Sequence, residues 1–207
     1  MQTKIINEKM KRYCRRVLGR IRRIGLKNRD FTIISNNCTG GYIYQHFGLR
    51  YNTPTAGLFF STKDFVKFCK DIKHYLDCEI KFEELSCSKR DSEERKYPVG
   101  MLDDIKIHFL HYKSKEEARD KWERRVARIN LKNLCFMYCE QADCESKDLE
   151  DYCKIQDSNS ICFVYNNYEV ERARYCPQVI EKGKGAWTRK IVLGLMPWKK
   201  YLNGLKN

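Results

Sequence analysis

The sequence predicts an α/β fold of three layers, a largely parallel sheet with flanking helices, preceded by a basic amphipathic N-terminal helix. Apolar runs at 31–35, 134–139 and 161–165 have the unbroken character of strands covered on both faces. Segments with helical apolar spacing lie between them, so strand and helix alternate along most of the chain. The 207 residues are 42% hydrophobic and 13% aromatic, enough for a sizeable core and unlike a stapled mini-protein, a disordered chain or a fibre. The expected division is an arm, 1–30, and an α/β domain, 31–207, with a subdomain joint near 86–96.

The arm comes first. Residues 1–29 hold eleven basic side chains and a single acid, Glu8, which is ten of the fourteen net positive charges. Ile6, Met10, Tyr13, Val17, Ile21 and Ile24 recur at helical spacing along it. Such a helix can lie on an anionic membrane, bind nucleic-acid phosphates, or dock its stripe on the domain. Only Tyr13 interleaves an aromatic ring with the bases, so nucleic acid is the least favoured of the three.

After Asp30, FTIIS is the first strand, and the turn from Asn36 to Gly41 leads into a short helix over 42–47 closed by Gly48. Residues 55–60 are a second strand candidate. Ser61 or Thr62 then caps one helix whose inward face is Phe65, Phe68, Cys69, Ile72 and Tyr75. Residues 79–84 alternate as an edge strand does, and 86–96 lack any apolar period. A strand over 105–112 puts Ile105, Ile107 and Phe109 on one face and Lys106, His108 and Leu110 on the other. Ser114 and Glu117 form a capping box before a helix striped by Ala118, Trp122, Val126 and Ile129. A helix over 147–155 and a tail helical up to Pro197 complete the pattern.

The eleven cysteines include no CxxC pair and no Cys–His ligand spacing, so they read as small buried hydrophobes in a reducing compartment, with no metal site and no cofactor assigned. No apolar run is long enough to span a bilayer, and the charged N-terminus does not resemble a signal peptide. A cytosolic protein is expected, peripheral on the inner membrane face where the arm binds lipid.

In a parallel sheet ligands sit beyond the carboxyl ends of the strands, which directs attention to the turn at 36–41. Asn36, Asn37, Gly40 and Gly41 are candidate ligand contacts, because glycines at a helix start let backbone N–H groups approach an anion. The same dipole favours a thiolate at Cys38, the candidate nucleophile. His108 is the first choice for proton transfer, with Asp104 (or Asp103) to orient it; His111, on the opposite face unless the strand ends between them, and His46 rank lower. Arg124, beside Arg125 on the helix of Trp122, is the candidate phosphate contact.

Two blocks, IISNNCTGGYIYQHFGLRYNTPTAGLFFSTKDFVKFCKDIKHYL and YPVGMLDDIKIHFLHYKSKEEARDKWERRVARIN, closely resemble a bacterial family of unknown function often labelled exopolysaccharide biosynthesis protein. The resemblance spans roughly 31–200 and includes Asn37, Cys38, Gly40, Gly41, His108, His111 and Arg124. Thr39 stands where the family often has Trp. It implies a transferase, glycosyl or acyl, that builds or modifies a cell-surface polysaccharide. Its partners would be a sugar nucleotide or acyl donor and a lipid-linked or glycan acceptor. The alternatives are a Cys-dependent hydrolase using Cys38 and a non-catalytic glycan-binding or assembly protein. The sequence has no plain DxD motif, which disfavours metal-dependent glycosyl transfer and leaves acyl transfer equally open.

Overall fold

A computed structural model describes residues 10, 13, 14, 17–83, 86–90, 93–155, 159–182 and 185–205. In chain order they form β1 (Thr32–Ser35), α1 (Thr39–Phe47), α2 (Thr62–Lys70), α3 (Ile72–Asp77), β2 (Lys81–Phe82), β3 (Ser86–Arg90), β4 (Glu93–Tyr97), β5 (Val99–Leu102) and β6 (Ile105–His108). Then follow α4 (Lys115–Val126), β7 (Leu134–Cys139), α5 (Ser146–Cys153), β8 (Ile161–Val164), β9 (Ala173–Tyr175), α6 (Arg189–Gly194) and α7 (Trp198–Asn203). The main sheet has the order β1-β7-β8-β9 and every pairing in it is parallel.

Period-two alternation splits this sheet between two cores. Ile34, Phe136, Tyr138, Cys162 and Val164 face a core closed by α2, α4, α5 and an antiparallel sheet, β2-β5-β6. Ile33, Cys135, Met137, Ile161 and Phe163 face the other, closed by α1, α6, α7 and Leu26. The three layers and the parallel sheet are therefore as the sequence implies. The fourth strand, β9, was not expected: its residues are half-buried or exposed, so no apolar run announces it.

Several elements differ from expectation for identifiable reasons. Residues 55–60 form no ladder strand, because a turn with Gly57 at φ 84° breaks the extended run, leaving a bridge between Phe59 and His108. The helix expected from residue 62 breaks at Asp71 (φ −139°, ψ 60°), whose side chain accepts from His74 N and starts α3 in register with the same apolar stripe. Segment 86–96, whose lack of apolar period suggests a subdomain joint, instead pairs with itself as the antiparallel strands β3 and β4. The strand over 105–112 stops at His108 and pairs antiparallel with β5, which the sequence reading did not anticipate. The edge strand over 79–84 shrinks to β2, with Glu84 outside the described residues. Pro197 does not end the tail; it stands at the N-cap of α7, where its missing N–H costs no helical hydrogen bond.

Of the expected arm, residues 1–9, 11, 12, 15 and 16 lie outside the described residues. Residues 17–22 are helical, and the helix touches the domain through a glycine. A Cβ on Gly19 would stand 2.8 Å from the Cα of Gly48, the left-handed C-cap of α1 (φ 58°). Its apolar stripe faces away, with Met10, Tyr13, Val17, Ile21 and Ile24 all exposed.

Candidate functional site

The 36–41 turn does follow the carboxyl end of β1, but its polar groups are already engaged. Asn36 is buried and bridges to β7, donating to Cys139 O at 2.8 Å and accepting from Cys139 N at 3.0 Å. Asn37 Oδ1 accepts from Thr39 N at 3.1 Å, and Ser35 Oγ accepts from Gly40 N at 3.2 Å. Gly41 N donates to Cys38 O at 3.1 Å. The first amides of α1 thus have protein acceptors, and the turn is not the open anion cradle that its glycines suggested. Gly40 serves packing instead. A Cβ there would meet Ser35 Oγ at 2.7 Å and Ile33 Cγ2 at 3.1 Å, so its absence lets α1 lie directly on β1.

What the turn does supply is one wall of a cavity of about 420 Å³, within the range of small-ligand sites. Cys38, Gly41, Tyr42 and Gln45 line it from α1, at spacings that share one helix face. Tyr51, Ala56 and Gly57 come from the following loop, His111 and Tyr112 from the turn after β6, and Lys121 and Arg125, four apart, from α4.

Arg125 is the best-held cation in this lining. Its Nη1 donates to Ala56 O at 2.7 Å and to Tyr112 Oη at 2.5 Å, while its guanidinium lies 5.2 Å from the centre of the Tyr51 ring. Tyr112 Oη in turn donates to Ala56 O at 2.7 Å, and Lys121 Nζ lies 5.2 Å from the Tyr112 ring centre. Arg128 donates twice to Tyr51 O, at 3.2 and 2.9 Å. Burial, and then the like charges of Arg50, Arg125 and Arg124, hold the Arg128 pKa below its ordinary value. Glu117 pairs with Lys121 and Asp120 with Arg124; among the described residues no carboxylate pairs with Arg50, Arg125 or Arg128. Burial raises the Tyr112 pKa, against the opposing charge and hydrogen bond of Arg125. Burial also raises that of Tyr42, reinforced by Cys38 and opposed by Arg189. Cys38 stands at the N-cap of α1 with its Sγ 3.9 Å from Leu58 O.

The sequence-derived candidates are only partly brought together. Cys38 and Gly41 line the cavity. His108 does not: its Nδ1 lies 3.3 Å from Tyr97 Oη and its ring packs edge-on against Phe59. Burial lowers the His108 pKa, and the carboxylates that act on it are Asp64 and Glu83. Asp104 sits at the opposite end of β6, accepting from Lys67 at 2.6 Å and Tyr75 at 2.8 Å, and so ties the β5–β6 turn to α2 and α3. Asp103, in the left-handed region at φ 51°, adds a 3.0 Å contact to His74. Arg124 points away into an ion pair with Asp120, and its neighbour Arg125 takes the place at the cavity.

The sequence pattern of the family described as Domain of unknown function (DUF1919) matches residues 9–204. The chain belongs to that family. An uncharacterized protein of Haemophilus influenzae (strain ATCC 51907 / DSM 11121 / KW20 / Rd) is 30% identical over 177 residues, covering 86% of this chain and 80% of that protein. In this DUF1919 chain the cavity gathers Cys38 and Gly41 from among the sequence-derived candidates and sets Lys121, Arg125 and His111 across from them. The sequence carries signals for the last three: Lys121 and Arg125 share a helix face, and His111 follows the strand end. Among the described residues no helix is long and apolar enough to cross a membrane, and no group of three or more His, Cys, Asp or Glu side chains is placed to hold a metal ion.

Proposed function

We propose that this protein is an enzyme of cell-surface polysaccharide biosynthesis, a glycosyl or acyl transferase whose phosphate-bearing donor occupies the Cys38–Arg125 cavity. The observation that carries this reading is the pair of cations that lines the cavity from one face of α4, Lys121 and Arg125, with no carboxylate paired to Arg125 among the described residues. Like charges gathered beside a cavity favour a polyanion there, since each phosphate relieves their mutual repulsion. Sugar nucleotides and acyl-coenzyme A both carry such phosphates. Tyr42, Tyr51 and Tyr112 offer faces for a sugar or nucleobase.

In the reaction, an acceptor hydroxyl oxygen bonds to the transferred carbon as the bond to the donor's leaving group breaks. His111, exposed at the cavity, takes the hydroxyl proton, and Arg125 with Lys121 stabilises the charge gathering on the leaving group. A cytosolic donor and a lipid-linked or glycan acceptor fit this scheme. Thermal-shift measurements against sugar nucleotides and acyl-coenzyme A test it. One donor class should raise the Tm of the native chain and leave Arg125→Ala unmoved; no shift from either class refutes the reading. His111→Ala should retain the ligand shift and lower turnover of the identified donor about 100-fold.

A second reading, hydrolysis through a Cys38 thioester or related covalent intermediate, rests on Cys38 and His111 lining the same cavity. It requires Cys38 to react with iodoacetamide faster than the exposed Cys14.

A further inference from the structure

The N-terminal helix presents its apolar face to solvent, and we infer that this face is a docking surface for an anionic lipid bilayer. The orientation follows from one contact. Gly19 is buried against the backbone of Gly48, and successive residues turn by about 100° around a helix, so Val17 and Ile21, two positions either side, point away from the domain. Ile21 is 56% exposed and Ile24 71%, the highest exposure among the large hydrophobic residues described. Leu18 is exposed with them. A single exposed isoleucine is ordinary; a run of exposed apolar residues along one helix face is not.

Charge identifies the occupant. Residues 1–29 contain eleven bases and one acid, and Arg20 beside the stripe is exposed. A protein partner would need a complementary acidic groove and would leave the outward bases unused, whereas an anionic bilayer takes the stripe and its flanking cations in a single plane. The domain extends the cationic character. Arg22 of the helix, Arg189 of α6 and Lys199 of α7 converge on His46 and, after burial, lower its pKa. Among the described residues no carboxylate pairs with Arg20, Arg22, Arg189 or Lys199.

The placement has a geometric consequence. α1 runs from the cavity, at Cys38 and Tyr42, to Gly48 beneath the arm, and a nine-residue helix is about 14 Å long. The two ends of one short helix therefore carry the cavity wall and the membrane contact. The docking surface stands whether or not the cavity performs group transfer.

Vesicle co-sedimentation of the full chain tests the inference. Phosphatidylcholine vesicles containing phosphatidylglycerol should retain the protein about tenfold better than phosphatidylcholine alone, with the difference lost at high salt. Ile21→Ser combined with Ile24→Ser should cut binding about tenfold at unchanged Tm, since both side chains are exposed. Arg20→Glu, which leaves the stripe intact, should weaken binding to the anionic vesicles alone. Equal retention on neutral and anionic vesicles, or equal binding by the stripe variant, overturns the inference. So does a wild-type preference for single-stranded RNA over the anionic vesicles.

Discussion

A shift of one residue on a helix decides which arginine meets the cavity. Arg124 and Arg125 differ by about 100° around α4, and that rotation sends the first to Asp120 and the second between Tyr51 and Tyr112. The histidines divide in the same way. His108 and His46 are both partly covered, and burial is the leading reason that each binds its proton less readily than free imidazole. The unfolded chain then binds more protons than the native one, so lowering the pH through the ordinary histidine value of about 6.5 favours unfolding, and the loss continues down to the depressed native pKa. The contribution of the neutral rings is fully present above pH ~6.5. Stability measured by urea titration should fall between neutral and mildly acid pH, and the slope should be shallower in His108→Gln. A variant with the native slope would show that the His108 environment is not the source.

The elements nearest the site depend on close backbone approach more than on side-chain contacts. α1 lies on β1 because Gly40 has no Cβ; the nearest atoms would be 2.7 and 3.1 Å away, and Ile33 belongs to a core strand that has little room to yield. Gly40→Ala should therefore destabilise the protein by about 1–3 kcal/mol, as overpacked cores do, despite the better helix propensity of alanine. Thermal unfolding checks this, and an alanine variant with unchanged or higher Tm would mean that α1 can shift without cost. Such close contacts are hard to read in a sequence, since a glycine pair after a strand looks the same whether it approaches a phosphate or a neighbouring strand. Runs such as ICFV are legible because both faces are buried and every residue is apolar. By contrast ARY of β9 lies at the sheet edge, and β5 has Gly100 in mid-strand, where Ile80 would clash with any Cβ at 2.6 Å. The cavity was half legible for the same kind of reason. Cys38 follows a readable strand, whereas Tyr51, Tyr112 and Arg125 meet only through tertiary contacts.

At the scale of the whole molecule, the carboxyl end of the parallel sheet is tied together by a residue with no motif around it. Glu140, fully buried just after β7, accepts from Tyr165 N at 2.6 Å, Asn166 N at 2.9 Å, Asn166 Nδ2 at 2.5 Å and Tyr168 Oη at 3.0 Å. Its backbone carbonyl accepts from Trp187 Nε1 at 2.7 Å, which brings the C-terminal segment onto the sheet. The loop between β8 and β9 thus closes over the end of β7 through one side chain. Two of the donors are backbone N–H groups that cannot rotate away, and a buried amide without an acceptor costs about 1–3 kcal/mol. Glu140→Gln keeps the shape but replaces one acceptor oxygen with a donor, so its remaining oxygen serves both backbone N–H groups only if the Asn166 amide turns over and Tyr168 Oη accepts, and every bond loses the assistance of the carboxylate charge. Urea denaturation should report a loss of about 2–4 kcal/mol with an unchanged m-value. A loss under about 0.5 kcal/mol, the range of ordinary surface substitutions, would mean that water reaches these amides and that the loop is held by Tyr165 and Trp187 packing alone.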